Sequence, residues 1–443
     1  MVDEARLVAT FLDLVRIDSP SGEEEAIGRR VMDLLCGLGA TVERDGLGNV
    51  LARLDGRGEP LLLNAHLDTV APGRGIEPVV NDGVIMSGGR TILGADDKAG
   101  VAIILEAVRV ARESGLAHPP LDILFTVREE LAVRGARAFD VRRLRARTGI
   151  GLDGGGAPGT VVTSAPAKDT LEITVHGRAA HAGKEPERGV SAITVAAEAL
   201  LRMPLGRIDD ETTANIGTVA GGLATNIVCD RVEMSAEVRS RNGARLAAQV
   251  EAMRRALAEA AARHGATVDL AVTHEYQAYT LSPDEPIVRL LGAGASRVGL
   301  VPRFIASGGG TDANVLNAAG LRVANISTGA AANHTPREHI AVADMVQCAA
   351  WLLACLGLAA ADRTGPSANS RRSPVHGPAN PLRSAAAPST RNPSTGTVSS
   401  RGNPSSSNLL LMWCAYTSTT PFACSRAYTW PFNQLCLCRC GCL

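Results

Sequence analysis

Apolar residues at helical spacing open the chain's pattern: Ile27, Val31, Leu34, Leu35 and Leu38 follow Ser21-Gly22-Glu23-Glu24. That tetrad has capping-box spacing, so a helix capped by Ser21 is predicted. Residues 61–65 and 121–127 are apolar enough for buried strands, and 99–111 carry a helical apolar stripe. Alternating strands and helices predict an α/β fold, a mixed sheet flanked by helices.

From about residue 167 the pattern changes to strands with one wet face. Leu171-Glu172-Ile173-Thr174-Val175 alternates strictly, and a helix at 190–203, strands at 212–219 and 232–238, a helix at 244–263 and a strand at 268–272 follow. The order β-α-β-β-α-β is the split βαβ of a ferredoxin-like α+β layer. Buried-strand texture returns at 322–327, and a helix at 342–356 closes the core. The predicted organisation is a larger domain from 1–166 and 280–360, interrupted by an inserted domain at 167–279. Residues 361–443 read as a disordered or non-native tail, because 363–408 are dense in Ser, Pro, Arg and Asn. The alternating Cys436, Cys438, Cys440 and Cys442 match no standard zinc pattern.

Charge changes the picture only after that division. The 45 basic and 45 acidic side chains cancel overall, yet the tail holds eight Arg and one acid, leaving residues 1–360 at −7. An acidic body excludes nucleic acid and anionic membrane as partners and favours a small molecule. Cys36, Cys229, Cys348 and Cys355 lack Cys-x-x-Cys spacing and read as reduced, buried thiols of a cytoplasmic protein. No signal peptide is expected at the start, and no apolar run reaches the roughly 18 residues of a membrane span.

Five segments place metal-binding side chains just after a predicted strand or in a Gly-rich loop: Asn64-Ala65-His66-Leu67-Asp68, Gly94-Ala95-Asp96-Asp97-Lys98, Val127-Arg128-Glu129-Glu130, Leu152-Asp153-Gly154 and Asn333-His334-Thr335. Each alone has an ordinary explanation, such as an acid capping a helix. Together they fall where open α/β sheets put their sites, at the carboxyl ends of strands. His66 and Asp68 suit a ligand and the carboxylate that orients it. Adjacent Glu129 and Glu130 suit a base and a ligand. His66, Asp96, Glu130, Asp153 and His334 sum to −3 with neutral imidazoles. Two zinc ions leave +1, which one bridging hydroxide neutralises, so a site of two ions about 3.5 Å apart is expected. Donors without thiolate also admit Mn or Co.

These motifs, in this order and with the inserted domain, resemble the dinuclear zinc peptidases related to carboxypeptidase G and most closely the peptidase T-like aminopeptidases. Thr91-Ile92-Leu93-Gly94-Ala95-Asp96-Asp97-Lys98-Ala99-Gly100 and Gly221-Gly222-Leu223-Ala224-Thr225-Asn226-Ile227-Val228 look typical of that branch. The resemblance covers about residues 3–358. It implies one ion on His66 and Asp153, the other on Glu130 and His334, Asp96 bridging both, and a cis peptide after Asp96. Glu129 would be the general base and acid, and Asp68 would orient His66. Arg178-Ala179-Ala180-His181-Ala182-Gly183-Lys184 matches the family's His segment, implying that His181 reaches a partner subunit's site in a homodimer and stabilises the oxyanion. Asn226 and Arg239 match substrate-binding positions, with Arg239 suited to a peptide carboxylate. Ser307-Gly308-Gly309-Gly310-Thr311-Asp312 resembles a loop lining the same cleft.

Two positions depart from the pattern: Cys229 stands where proline often follows Asn-Ile-Val, and Arg128 precedes the paired glutamates. The expected function is metal-dependent hydrolysis of short peptides, of the tripeptide aminopeptidase kind. An N-acyl-amino-acid amidohydrolase or a carboxypeptidase of the same superfamily is the alternative. A catalytically silent binding protein is the alternative from a different class.

Overall fold

The computed structural model describes residues 1–361. The expected tail at 361–443 and its cysteines therefore lie outside the described residues, except for Ala361, which ends a helix.

Leu61–His66, Leu121–Thr126, Thr148–Gly154 and Arg322–Ser327 form the parallel centre of a nine-stranded sheet. Every residue of the first two is buried, as strands covered on both faces require. Parallel pairing sends the carboxyl ends of all four toward one edge of the sheet. The hairpin Thr41–Arg44 and Val50–Leu54 adds antiparallel strands on one side. Thr160–Ala165, Tyr279–Thr280 and Arg303–Ala306 complete the other.

Helices Glu4–Val15, Ala95–Glu113, Pro286–Arg297 and Val342–Ala361 pack together over this sheet. Trp351 is fully buried, and its Nε1–H donates to the Leu291 carbonyl at 2.9 Å. Gly294 allows two of these helices to touch, because a Cβ there would fall 2.3 Å from Cys355 Sγ. Among the described residues Val342–Ala361 is long and apolar enough to cross a bilayer, with mean hydropathy 1.7. Asp344 and Gln347 interrupt its apolar run, which is why the sequence shows no unbroken span. Met345, Cys348, Trp351, Leu352, Cys355 and Leu356 all face the core.

The inserted unit is Ala167–His176, Ala192–Arg202, Thr212–Gly221, Arg231–Ser240, Gly243–His264 and Thr267–Tyr276, in the expected β-α-β-β-α-β order. Its strands, with the short Gly206–Arg207, form a separate five-stranded sheet. Leu171, Val175, Val195, Val238, Met253 and Leu257 belong to its own core.

Local expectations needed two corrections. The helix after Ser21 starts only at Glu25, with Glu24 at the N-cap and no side-chain cap. Ser21 Oγ instead donates to Asp68 Oδ2 at 2.6 Å, so a tertiary acceptor outcompetes the local one. Cys36 is exposed, unlike the buried Cys229, Cys348 and Cys355, because it follows Leu35 on the helix and lies off the buried stripe.

Candidate active site

The sheet positions the donors. His66 is the last residue of its strand, Asp153 lies one before the end of its own, and Glu129 and Glu130 follow Leu121–Thr126. Asp96 is the second residue of Ala95–Glu113, in a non-helical first turn, and its peptide to Asp97 is cis. His334 sits in the loop after Arg322–Ser327 with a left-handed φ of 61°.

Two groups of donors result, each with ligand atoms within 4.8 Å of one another: His66, Asp96 and Asp153, and Asp96, Glu130 and His334. Asp96 belongs to both. A third such group is His66, Glu129 and Glu130. His66 Nε2 is 3.1 Å from Asp96 Oδ1, and His334 Nε2 is 3.0 Å from Glu130 Oε1 and 3.3 Å from Asp96 Oδ2. His66 Nδ1 is 3.0 Å from the Asp68 carbonyl and 3.5 Å from the Asp68 carboxylate, so its nearer partner is backbone. Asp97 turns away to the protein, taking the His66 backbone N–H at 3.2 Å and that of Gly100 at 3.2 Å.

Electrostatics follow from crowding buried acids. Burial, reinforced by neighbouring carboxylates, pushes Asp153 and Glu129 well above the usual carboxyl range. Burial would also raise Asp96, but hydrogen bonds to His334 and His66 hold it low. Those to Asp96 and Glu130 lift His334 to about 10. Such groups of carboxylates and imidazoles, running from buried His66 to exposed His334 with ligand atoms within 4.8 Å in each group, suit divalent cations, which supply the missing positive charge. His66, Asp96, Glu130, Asp153 and His334 thus fit a pair of ions.

A cavity of about 240 Å³ opens beside these donors. Asp96, Glu129, Glu130, Asp153 and His334 line it together with Lys168, Arg239 and Tyr276 of the inserted unit and with Ser307, Gly309, Gly310 and Thr311. Arg239 therefore enters the cavity of its own chain. His181 and Asn226 do not line it; both are exposed, and Ala182 N–H donates to the Asn226 carbonyl at 3.0 Å, setting them side by side. Arg128 is absent from the lining, its Nε buried near Gly22.

Sequence reasoning missed the groups that hold these donors in place. The buried Glu338 carboxylate accepts the backbone N–H groups of Leu93 at 2.8 Å, Gly94 at 2.7 Å and Asp96 at 2.9 Å. Asn333 Nδ2–H donates to Asp96 Oδ2 at 3.0 Å. Asp312 is buried and accepts from Asn64 Nδ2 at 3.1 Å and from Thr126 Oγ1. The one available signal was position: Asn333 and Glu338 flank His334 in a single loop.

Comparison with known proteins gives this geometry a context. The chain matches the peptidase dimerisation domain over residues 168–265 and peptidase family M28 over 49–200. It is 38% identical over 370 residues to the protein YqjE of Bacillus subtilis, covering 81% of this chain and all of that one. The crystal structure of aminopeptidase PepT from Bacillus cereus is 39% identical, with a TM-score of 0.74 over 81% of this chain and 99% of that chain. A tripeptidase from Staphylococcus aureus is 35% identical, with a TM-score of 0.78 over 82% of this chain and 100% of that chain. With relatives matched at this identity over their whole length, the chain is a peptidase and belongs to the peptidase T-like aminopeptidases of the zinc peptidase superfamily.

Proposed function

We propose that the protein is a metal-dependent aminopeptidase for short peptides, with Glu129 as general base and acid. The observation that carries this reading is the pair of donor groups sharing Asp96, beside a buried Glu129 whose proton affinity is raised. His66 and Asp153 would hold one ion, Glu130 and His334 the other, and Asp96 both. Bound there, two divalent ions, zinc first and Mn or Co as substitutes, supply Lewis acidity toward the scissile carbonyl and acidify a water.

The protein's own groups supply the rest. Asp68 holds His66 in place and, through the backbone of Glu129 and Glu130, the segment carrying both acids. Glu129 takes the proton of the attacking water and gives it to the leaving amine, a role for which a raised carboxyl pKa is suited. Arg239 binds a substrate carboxylate. What supports a short substrate is the size of the cavity, about 240 Å³.

The domain reading, 1–166 with 280–360 around 167–279, assigns the inserted unit to lid and dimerisation. Exposed Ile193, Leu201, Val219, Leu223 and Ile227 support a homodimer through it, since such apolar surface marks protein contacts. Among the described residues the strand Thr212–Gly221 pairs on its outer side only at Thr213 and Ala214, which leaves an edge for a second copy. In that dimer His181 and Asn226, presented together away from their own cavity, serve the partner's site. A cytoplasmic setting suits unpaired cysteines.

The deciding experiment is a panel of di- and tripeptides beside N-acetyl and N-succinyl amino acids, assayed with Zn, Mn and Co. Cleavage of free peptides is expected; hydrolysis of acylated amino acids alone would overturn the reading.

A further inference from the structure

Arg239, Lys168 and Tyr276 stand in one row across three adjacent strands. Arg239 is the register partner of Lys168, and Lys168 that of Tyr276. All three line the same cavity as the carboxylates. Side chains in register on neighbouring strands share a face, so the inserted sheet presents a single band of donors to the site.

The band carries surplus positive charge. Glu237, two residues before Arg239 and hence on its face, accepts Arg239 Nε–H at 2.9 Å and Nη2–H at 3.0 Å. Its Oε2 is also 3.2 Å from Lys168 Nζ. One carboxylate thus holds two cations, leaving a net positive charge. Glu237 itself does not line the cavity; it fixes the two cations from behind. Among the described residues Arg239 Nη1 has no protein acceptor, and Lys168 Nζ spends one of its three donors. Tyr276 ties the band to the Gly-rich loop: a Cβ on Gly310 would fall 2.6 Å from the Tyr276 hydroxyl, so only glycine lets the loop lie against the ring.

We propose that Lys168 is a second cation of the substrate-carboxylate subsite, binding with Arg239 the free C-terminal carboxylate of a substrate short enough to place it in the same cavity as the scissile bond. This rests on the peptidase reading above. The cavity, about 240 Å³, is smaller than the roughly 300–1,000 Å³ of pockets that take drug-sized ligands. One or two residues therefore separate the bond cleaved from the carboxylate read. Di- and tripeptides with a free carboxylate are the substrate class, and their C-terminal amides are poor substrates.

The test compares trialanine with its C-terminal amide on the metal-loaded full chain. Wild-type protein is expected to show the lower KM for the acid. Lys168→Met should shrink the acid-to-amide KM difference about tenfold or more, the size of one lost hydrogen bond to a charged group, with the change in KM rather than kcat. Lys168→Arg should restore most of it. An unchanged difference in Lys168→Met, or equal losses on acid and amide that Arg does not rescue, would overturn the proposal. If wild-type protein cleaves neither compound, the short-peptide reading fails, and calorimetric binding to zinc-loaded protein still decides the subsite. Tighter binding of the acid, abolished in Lys168→Met, supports it; equal binding of acid and amide refutes it.

Discussion

Asp68 Oδ1 accepts the backbone N–H of Glu129 at 2.8 Å. Its other oxygen accepts from Glu130 N–H at 3.1 Å and from Ser21 Oγ, while its own backbone carbonyl meets His66. One fully buried residue thus sets three of the donors around the site. An amide in its place keeps the shape but points an NH₂ group at an N–H donor. Asp68→Asn is therefore expected to weaken metal binding and lower turnover about 10- to 100-fold each. Metal titration of dialysed protein beside steady-state kinetics checks both.

Glu129 tests the chemistry separately from the scaffold. Glu129→Gln preserves volume and cannot accept the water proton. Turnover should fall at least about a hundredfold, with metal content unchanged by elemental analysis. Near wild-type turnover would remove Glu129 from its role as base.

Legibility in the sequence followed the range of the interaction. His66 and Asp153 were readable because buried strands declare themselves by apolar runs, and their last residues open onto the site. The inserted unit was readable because strands with one wet face alternate. Ser21 misled because its hydroxyl goes to Asp68, 47 residues away. The sheet of Pro78–Asn81, Val84–Ser87 and His339–Ala341 was not read at all; its strands are too short to show a period. Lys168 and Glu338 escaped for one reason: strand register and loop-to-loop hydrogen bonds bring distant residues together without leaving a local pattern.

Metal binding should release protons. Hydrogen bonds to Asp96 and Glu130 lift His334 to about 10 in the metal-free protein, and burial raises the proton affinity of the Asp153 carboxyl. Ligands must be deprotonated to bind, so affinity should climb from neutral pH toward about 10. For metal-free protein the sign of stability is opposite. The contribution of His334 is complete below its ordinary 6.5 and is lost as pH rises through about 10. Calorimetry at pH 7 in two buffers of different ionisation enthalpy measures the protons released; none would contradict this account.

The helical core makes an independent prediction. Trp351 is fully buried and bonded to the Leu291 carbonyl. Trp351→Ala leaves a large cavity and an unpaired carbonyl, and should destabilise the fold by about 3 to 5 kcal/mol. Urea unfolding of metal-loaded protein provides the measurement, and a loss below about 1 kcal/mol would mean that the helices close over the gap.

Glu338 ties together two loops of the proposed metal site. It lies four residues beyond His334, and its carboxylate accepts the N–H groups of Leu93, Gly94 and Asp96. The loop bearing one donor therefore fixes the loop bearing the shared one. In Glu338→Gln one oxygen becomes an NH₂ that faces at least one of these N–H groups, so the Asp96 loop must shift. Metal affinity should fall about 10- to 100-fold, in the range seen when groups supporting ligands are lost, and Glu338→Ala should lose more. Cobalt-loaded protein gives a readout apart from activity, because a displaced Asp96 would change the absorption of cobalt ions held by this donor set. If both variants only melt at lower temperature, with affinity and cobalt spectrum intact, Glu338 supports the fold and not the metal site.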